Sequence, residues 1–176
     1  MQVVDQLRKG LAVERSEAGF RRTIAGWILV ILNTLAALNS TFFFLLLLKS
    51  GVAGWLMMNS CAPSVYLFVM GFLIASPLVM VAASVPMAWY GTGGLFVFGW
   101  EGYNLIPQIG HILMTLAVIY VLLRVIRARA WRTMVLGLAL GLAILIPFTI
   151  VQNRWFGAHP EMLEMLFSGD WALPGP

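Results

Sequence analysis

Charge is what this sequence has least of. Only 10% of its 176 residues are Asp, Glu, Lys or Arg, whereas a soluble domain carries roughly a quarter. Seven acids and eleven bases cannot cover a soluble globule, and a mean hydropathy of +0.90 makes lipid the solvent for most of the chain. Cysteine is nearly absent. Cys61 has no partner within the chain, which excludes a disulfide-built secreted domain, and no Cys or His beside it to give a zinc-ligand spacing. Asp and Glu are missing from every long apolar run, so a proton relay through membrane carboxylates has no candidates. No Gly-Lys-Ser/Thr follows Gly91, Gly93 and Gly94, so these glycines make no phosphate loop. No stretch gathers basic and aromatic residues on one solvated face. The net charge of +4 therefore bears on topology and anionic lipid, and no nucleic-acid partner is expected.

What is present is hydrophobic, at 61%. A bilayer core of about 30 Å takes roughly 20 apolar residues per helix. The pattern predicts an all-α, polytopic membrane protein with four spans near residues 24–48, 64–88, 106–125 and 131–152, inside a transmembrane domain of residues 23–155. Residues 1–22 form an amphipathic N-terminal tail with Val3, Val4, Leu7 and Leu11 at helical spacing; residues 156–176 form an interfacial C-terminal tail. Gly51 to Met58 is expected to turn along the interface. Pro77 and Pro86 should kink the second span near Ser76. Residues 89–105, rich in glycine and aromatic rings, are expected to form an interfacial loop, with Tyr103 among its rings. Pro160 begins a short amphipathic helix that Gly169 should stop. Trp27, Trp55, Trp89, Trp100, Trp131 and Trp155 are the expected interfacial anchors.

Sidedness does not resolve with four spans. The Lys and Arg count is five in the N-terminal tail, one at Lys49, four in the hairpin of Arg124, Arg127, Arg129 and Arg132, and one at Arg154. Four spans divide these six against five, which the positive-inside rule cannot separate. An alternative with five segments, in which residues 23–58 turn at Asn39 to Thr41, removes the conflict because tail and hairpin then share a side.

The sharpest polar feature is the face of Gln108, His111 and Thr115, whose spacings of 3 and 4 align them on one side of a helix. His111 is the one histidine expected inside the membrane, so haem held between two histidines is not available. A single axial bond to a chlorin, or a hydrogen bond to a quinone, is; the plainer reading is an interhelical hydrogen bond that needs no cofactor. Gly137 and Gly141 form a GxxxG pair, and Asn33, Ala36, Ala37 and Ser40 give the first span a small polar face. Both patterns suit close helix packing, within the chain or onto other integral membrane subunits. No catalytic or metal constellation is present. The function expected from these features is a non-catalytic accessory subunit of a larger complex, redox, photosynthetic or secretory, in a bacterial inner membrane. Two alternatives stand beside it: a small homo-oligomeric transporter or channel, and a cofactor-binding subunit using His111.

Overall fold

The computed structural model describes residues 22–101 and 104–168. The N-terminal tail up to residue 21, Tyr103 of the aromatic stretch and the expected stop at Gly169 lie outside the described residues. Among the described residues every regular element is helical. Thr23 caps the first helix, its Oγ1 accepting from the Gly26 amide at 3.1 Å, and α1 runs over Ile24–Phe42. A π-helical turn, Phe43–Leu47, continues it. The expected alternative turn at Asn39 to Thr41 is absent. Ser40 Oγ donates to the Ala37 carbonyl one turn back and Thr41 Oγ1 pairs with Tyr66, so these hydroxyls are satisfied without leaving the helix.

Helix α2, Gly51–Met58, and helix α3, Cys61–Leu73, meet at an angle of 81° across Asn59 and Ser60. The second span expected over 64–88 is two helices rather than one. After Leu73 the chain makes a full helix stop: Ala75 takes a left-handed conformation (φ +53), its amide donates to the Phe72 carbonyl, and the Ser76 amide donates to the Gly71 carbonyl at 2.8 Å. Ser76 then caps a new helix through its side chain, with Pro77 at the first position, where a missing amide hydrogen costs little. The proline that suggests a kink in the sequence starts a second helix in the fold.

That helix, α4 over Pro77–Met87, continues through a π-helical turn at Ala88–Thr92 into α5, Gly93–Val97. The expected loop of residues 89–105 is therefore mostly helix among its described residues, with Gly91 and Gly94 where the next helix approaches. Helix α6, Leu105–Arg127, ends in the same stop as α3, with Arg129 at φ +51 and the Ala130 amide reaching the Val125 carbonyl. Helix α7, Trp131–Ala158, passes through Pro147 and well beyond Gln152, and α8 covers Pro160–Ser168.

Cross-contacts give the direction of each helix. Trp27 packs edge-on against Phe72 near the start of α1, while Asn59 Nδ2 donates to Ser40 Oγ toward its other end, so α3 runs antiparallel to α1. Met80 lies against Gly71, which closes α3 and α4 into a hairpin. Thr23 meets Tyr120 and Asn33 meets Leu113, so α6 is antiparallel to α1; Gly137 meets Val81 and Gln152 meets Tyr90, so α7 is parallel to α4–α5. The described residues thus traverse the bundle five times between two ends. One end holds Arg22, the turn at Ala75 and Arg124 to Arg132; the other holds Lys49, Glu101, Arg154, Glu161 and Glu164.

Four helical stretches, Ile24–Leu47, Pro77–Val97, Leu105–Arg127 and Trp131–Ala158, are long and apolar enough to cross a membrane, and the bent pair α2–α3 makes a fifth if taken as one span. Phe68, Phe72, Met80, Val81, Val121 and Val125 form the centre of the main core. A second cluster of Phe44, Leu48, Met58, Phe156 and Met165 closes the acidic end, beneath α8. Outward faces carry large apolar side chains such as Ile28, Leu35, Ile119 and Ile146. On folding in water these would be a liability.

Candidate functional site

The polar face expected on α6 is present, and its members divide their work. Gln108 is fully buried, and its Nε2 donates to the carbonyls of Phe98 at 2.8 Å and Gly99 at 3.4 Å, tying down the chain that leaves α5. With the amide nitrogen fixed on two carbonyls, its Oε1 is the atom that faces His111 Nδ1 at 3.0 Å. An oxygen acceptor there makes Nδ1 the donor, which leaves Nε2 of the neutral ring as a lone-pair acceptor. Thr115 donates to the His111 carbonyl and pairs with Thr92 on the π-helical turn, so it anchors α6 to its neighbour.

The imidazole sits between Phe98, stacked at 5.6 Å, and Gly94. A side chain at Gly94 would begin 2.5 Å from the ring, so this close approach requires glycine.

His111 lines a cavity of about 500 Å³ enclosed chiefly by α1, α3 and α6. Ala36, Ala37, Ser40 and Asn33, expected as a packing face, border the same space. Asn33 is 1% exposed; its Nδ2 donates to the Leu29 and Leu113 carbonyls, and its Oδ1 has no partner. Among the described residues the hydrogen bond of the His111 ring is made through Nδ1, and none reaches Nε2.

The opposite wall is polar and fully engaged. Gln152 of α7 donates from Nε2 to the Met57 carbonyl and to Ser60 Oγ, and its Oε1 accepts from Tyr90 at 2.9 Å. Breaking a helix at Asn59 and Ser60 frees backbone carbonyls, and in apolar surroundings these must be satisfied by side chains. Gln152 does this across 95 residues of sequence. Sequence reasoning missed Gln152, Tyr90, Asn59 and Ser60 as a group. The available signal was an amide in an otherwise apolar helix, at a position that passes equally well for a helix end.

The remaining expected residues fall elsewhere. Gly137 packs on Val81 and Gly141 on Ala82 and Val85, within the chain. Trp27 and Trp131 lie at the arginine end and are partly exposed; Trp100, half exposed, donates to the Leu95 carbonyl at the acidic end. Trp155 stacks on His159 at 4.4 Å. Trp89 is exposed on the side of its helix rather than at an end. Trp55 packs against both core clusters with its Nε1 buried and unpartnered, so here it is a core residue. No group of three or more His, Cys, Asp or Glu is placed to hold a metal ion among the described residues. No protein-family model, curated protein or solved structure matches this chain.

Proposed function

We propose that this is an integral membrane protein of five crossings that holds a small, largely apolar molecule inside its bundle and performs no chemistry of its own. The observation that carries the reading is the cavity beside His111, an apolar space of about 500 Å³ with a few convergent polar atoms, which is the usual make-up of a small-molecule site. Membrane residence is supported by the four long apolar helices and by the large apolar side chains on their outer faces. Sidedness follows from the five traverses. The first helix starts at the end that holds the Arg124–Arg132 turn; the sequence up to Arg22 and that turn contain nine of the eleven Lys and Arg, against Lys49 and Arg154. The positive-inside rule then assigns the arginine end to the cytoplasm. A bacterial inner membrane is carried forward as part of the same proposal.

The accessory-subunit reading drew on small-residue faces; Gly137 and Gly141 pack within the chain, and the face of Asn33, Ala36, Ala37 and Ser40 borders the cavity. Its support is now α7, in whose most apolar 18-residue stretch only 17% of the residues are buried. Subunits retained with the chain in mild detergent would favour it.

Binding is tested by native mass spectrometry of the protein released from its membrane with bound lipid. A stoichiometric apolar molecule is expected in the wild type and a reduced amount in Ala36→Phe, which puts a ring into the cavity. Equal, empty spectra for both would remove the binding reading.

A further inference from the structure

The cavity has a side opening. The residues that line it and are also exposed lie on two facing stripes: Leu32 and Asn39 on α1, and Ile106, Pro107 and Ile109 on α6. Between Leu32 and Asn39 the two helices also touch. Asn33 Nδ2 reaches the Leu113 carbonyl at 3.1 Å, and a side-chain carbon at Gly110 would start 4.0 Å from Ala36 Cβ. The seam therefore opens on the apolar flank of the bundle, toward the acidic end.

Most of its deep donors are already used. Ser40, Ser60 and Tyr90 have their hydroxyl hydrogens committed to the Ala37 carbonyl, the Met57 carbonyl and Gln152 Oε1 respectively. Both Gln152 amide hydrogens are used, and Cys61 donates to Asn59 Oδ1. Asn33 Oδ1 is buried without a partner and no hydrogen bond reaches His111 Nε2; both are acceptors, while Asn59 Nδ2 keeps one N–H beside its bond to Ser40. A buried acceptor left unmatched costs about 1–3 kcal/mol, so a donor complements this part of the wall. An oxidised quinone offers only carbonyl oxygens and cannot donate to these two acceptors; its reduced form can.

We propose that the site takes a lipid-soluble molecule bearing a hydroxyl group, which enters sideways between α1 and α6 and donates its O–H to His111 Nε2. The inference rests on the binding reading above and specifies its ligand and its route. An aromatic hydroquinone and an aliphatic lipid alcohol share this chemistry, and both meet the seam from the bilayer.

The test uses the full chain in phosphatidylcholine nanodiscs, with decylhydroquinone and hexadecanol as probes, each compared with its methyl ether. Tenfold or greater preference for the hydroxyl form is expected with at least one pair, and the pair that shows it distinguishes an aromatic from an aliphatic source. His111→Phe keeps a ring between Gly94 and Phe98 but lacks the acceptor, so it should bind alcohol and ether alike. Ether binding equal to alcohol binding in the wild type overturns the donor assignment while leaving the binding reading intact. Failure of every probe to bind overturns both. A native molecule with a chlorin's visible absorption would assign the lone pair to a metal and also overturn the hydroxyl. For the route, Ala36→Cys with Gly110→Cys, in a Cys61→Ser background, places the two Cβ atoms at 4.0 Å, inside the range a disulfide accepts. Oxidation should slow probe exchange at least tenfold relative to the reduced form, and an unchanged rate would show that entry lies elsewhere.

Discussion

A methyl group added at Gly141 would start 2.5 Å from the backbone oxygen of Ala82 and 2.6 Å from Val85, so α4 and α7 touch nearly backbone to backbone. Neither atom is the free end of a flexible chain, and the helices must separate to admit the new carbon. Gly141→Ala is expected to lower stability by about 1–3 kcal/mol, the usual cost of overpacking. Gly93→Ala, where nothing lies within 4 Å, should be neutral or slightly stabilising. Thermal unfolding of the two variants in detergent compares them directly. The same scale shows what spacing alone can reveal. Gln108, His111 and Thr115 were legible as one face because a helix period joins them, whereas the Tyr90, Gln152 and Ser60 contact joins residues up to 92 apart and leaves no periodic trace. Asn33 and Ser40 were legible as polar members of a small face, but which of their atoms would go unpartnered depended on where α6 lay.

At the level of elements, the first, third and fourth expected spans correspond to helices, and the second does not. The reason is the identity of the residue in the left-handed position. Helices that end in this motif usually announce it with glycine, and here the positions are Ala75 and Arg129. Without glycine, Leu73 and Pro77 read as parts of one kinked run. An L-residue in the left-handed region costs roughly 1–2 kcal/mol, so Ala75→Gly should raise stability, by about 0.5–1 kcal/mol once the greater freedom of glycine in the unfolded chain is set against the relief. Chemical or thermal unfolding of that variant beside wild type measures it; a loss of stability would mean that the alanine methyl contributes packing at the turn. The glycines of residues 91–94 misled in the opposite sense. They read as helix breakers by propensity, yet the tertiary approach of α6 to Gly91 and Gly94 makes those two necessary inside a helix.

The whole molecule has one traverse more than the four-span reading, the number that the five-segment alternative reached with a turn at Asn39 to Thr41. On the proposed topology six against five becomes nine against two once α3 and α4 are separate passes. On that topology, a cysteine at Arg22 and one at Arg127 should react with an impermeant maleimide from the same face of sealed vesicles, in a Cys61→Ser chain. Labelling of the two from opposite faces would restore an even number of crossings. The short pass has a consequence of its own. Helix α3 has 13 residues, about 20 Å at 1.5 Å per residue, against a hydrocarbon thickness near 30 Å. Its neighbours in the bundle are each more than 20 residues long, so the deficit is local, on the flank where α2 bends away by 81°. In a bilayer that flank presents a hydrophobic mismatch, which lipids relieve by thinning. The annulus around this protein would then be uneven, with shorter or more disordered acyl chains gathered on the side of α2 and α3.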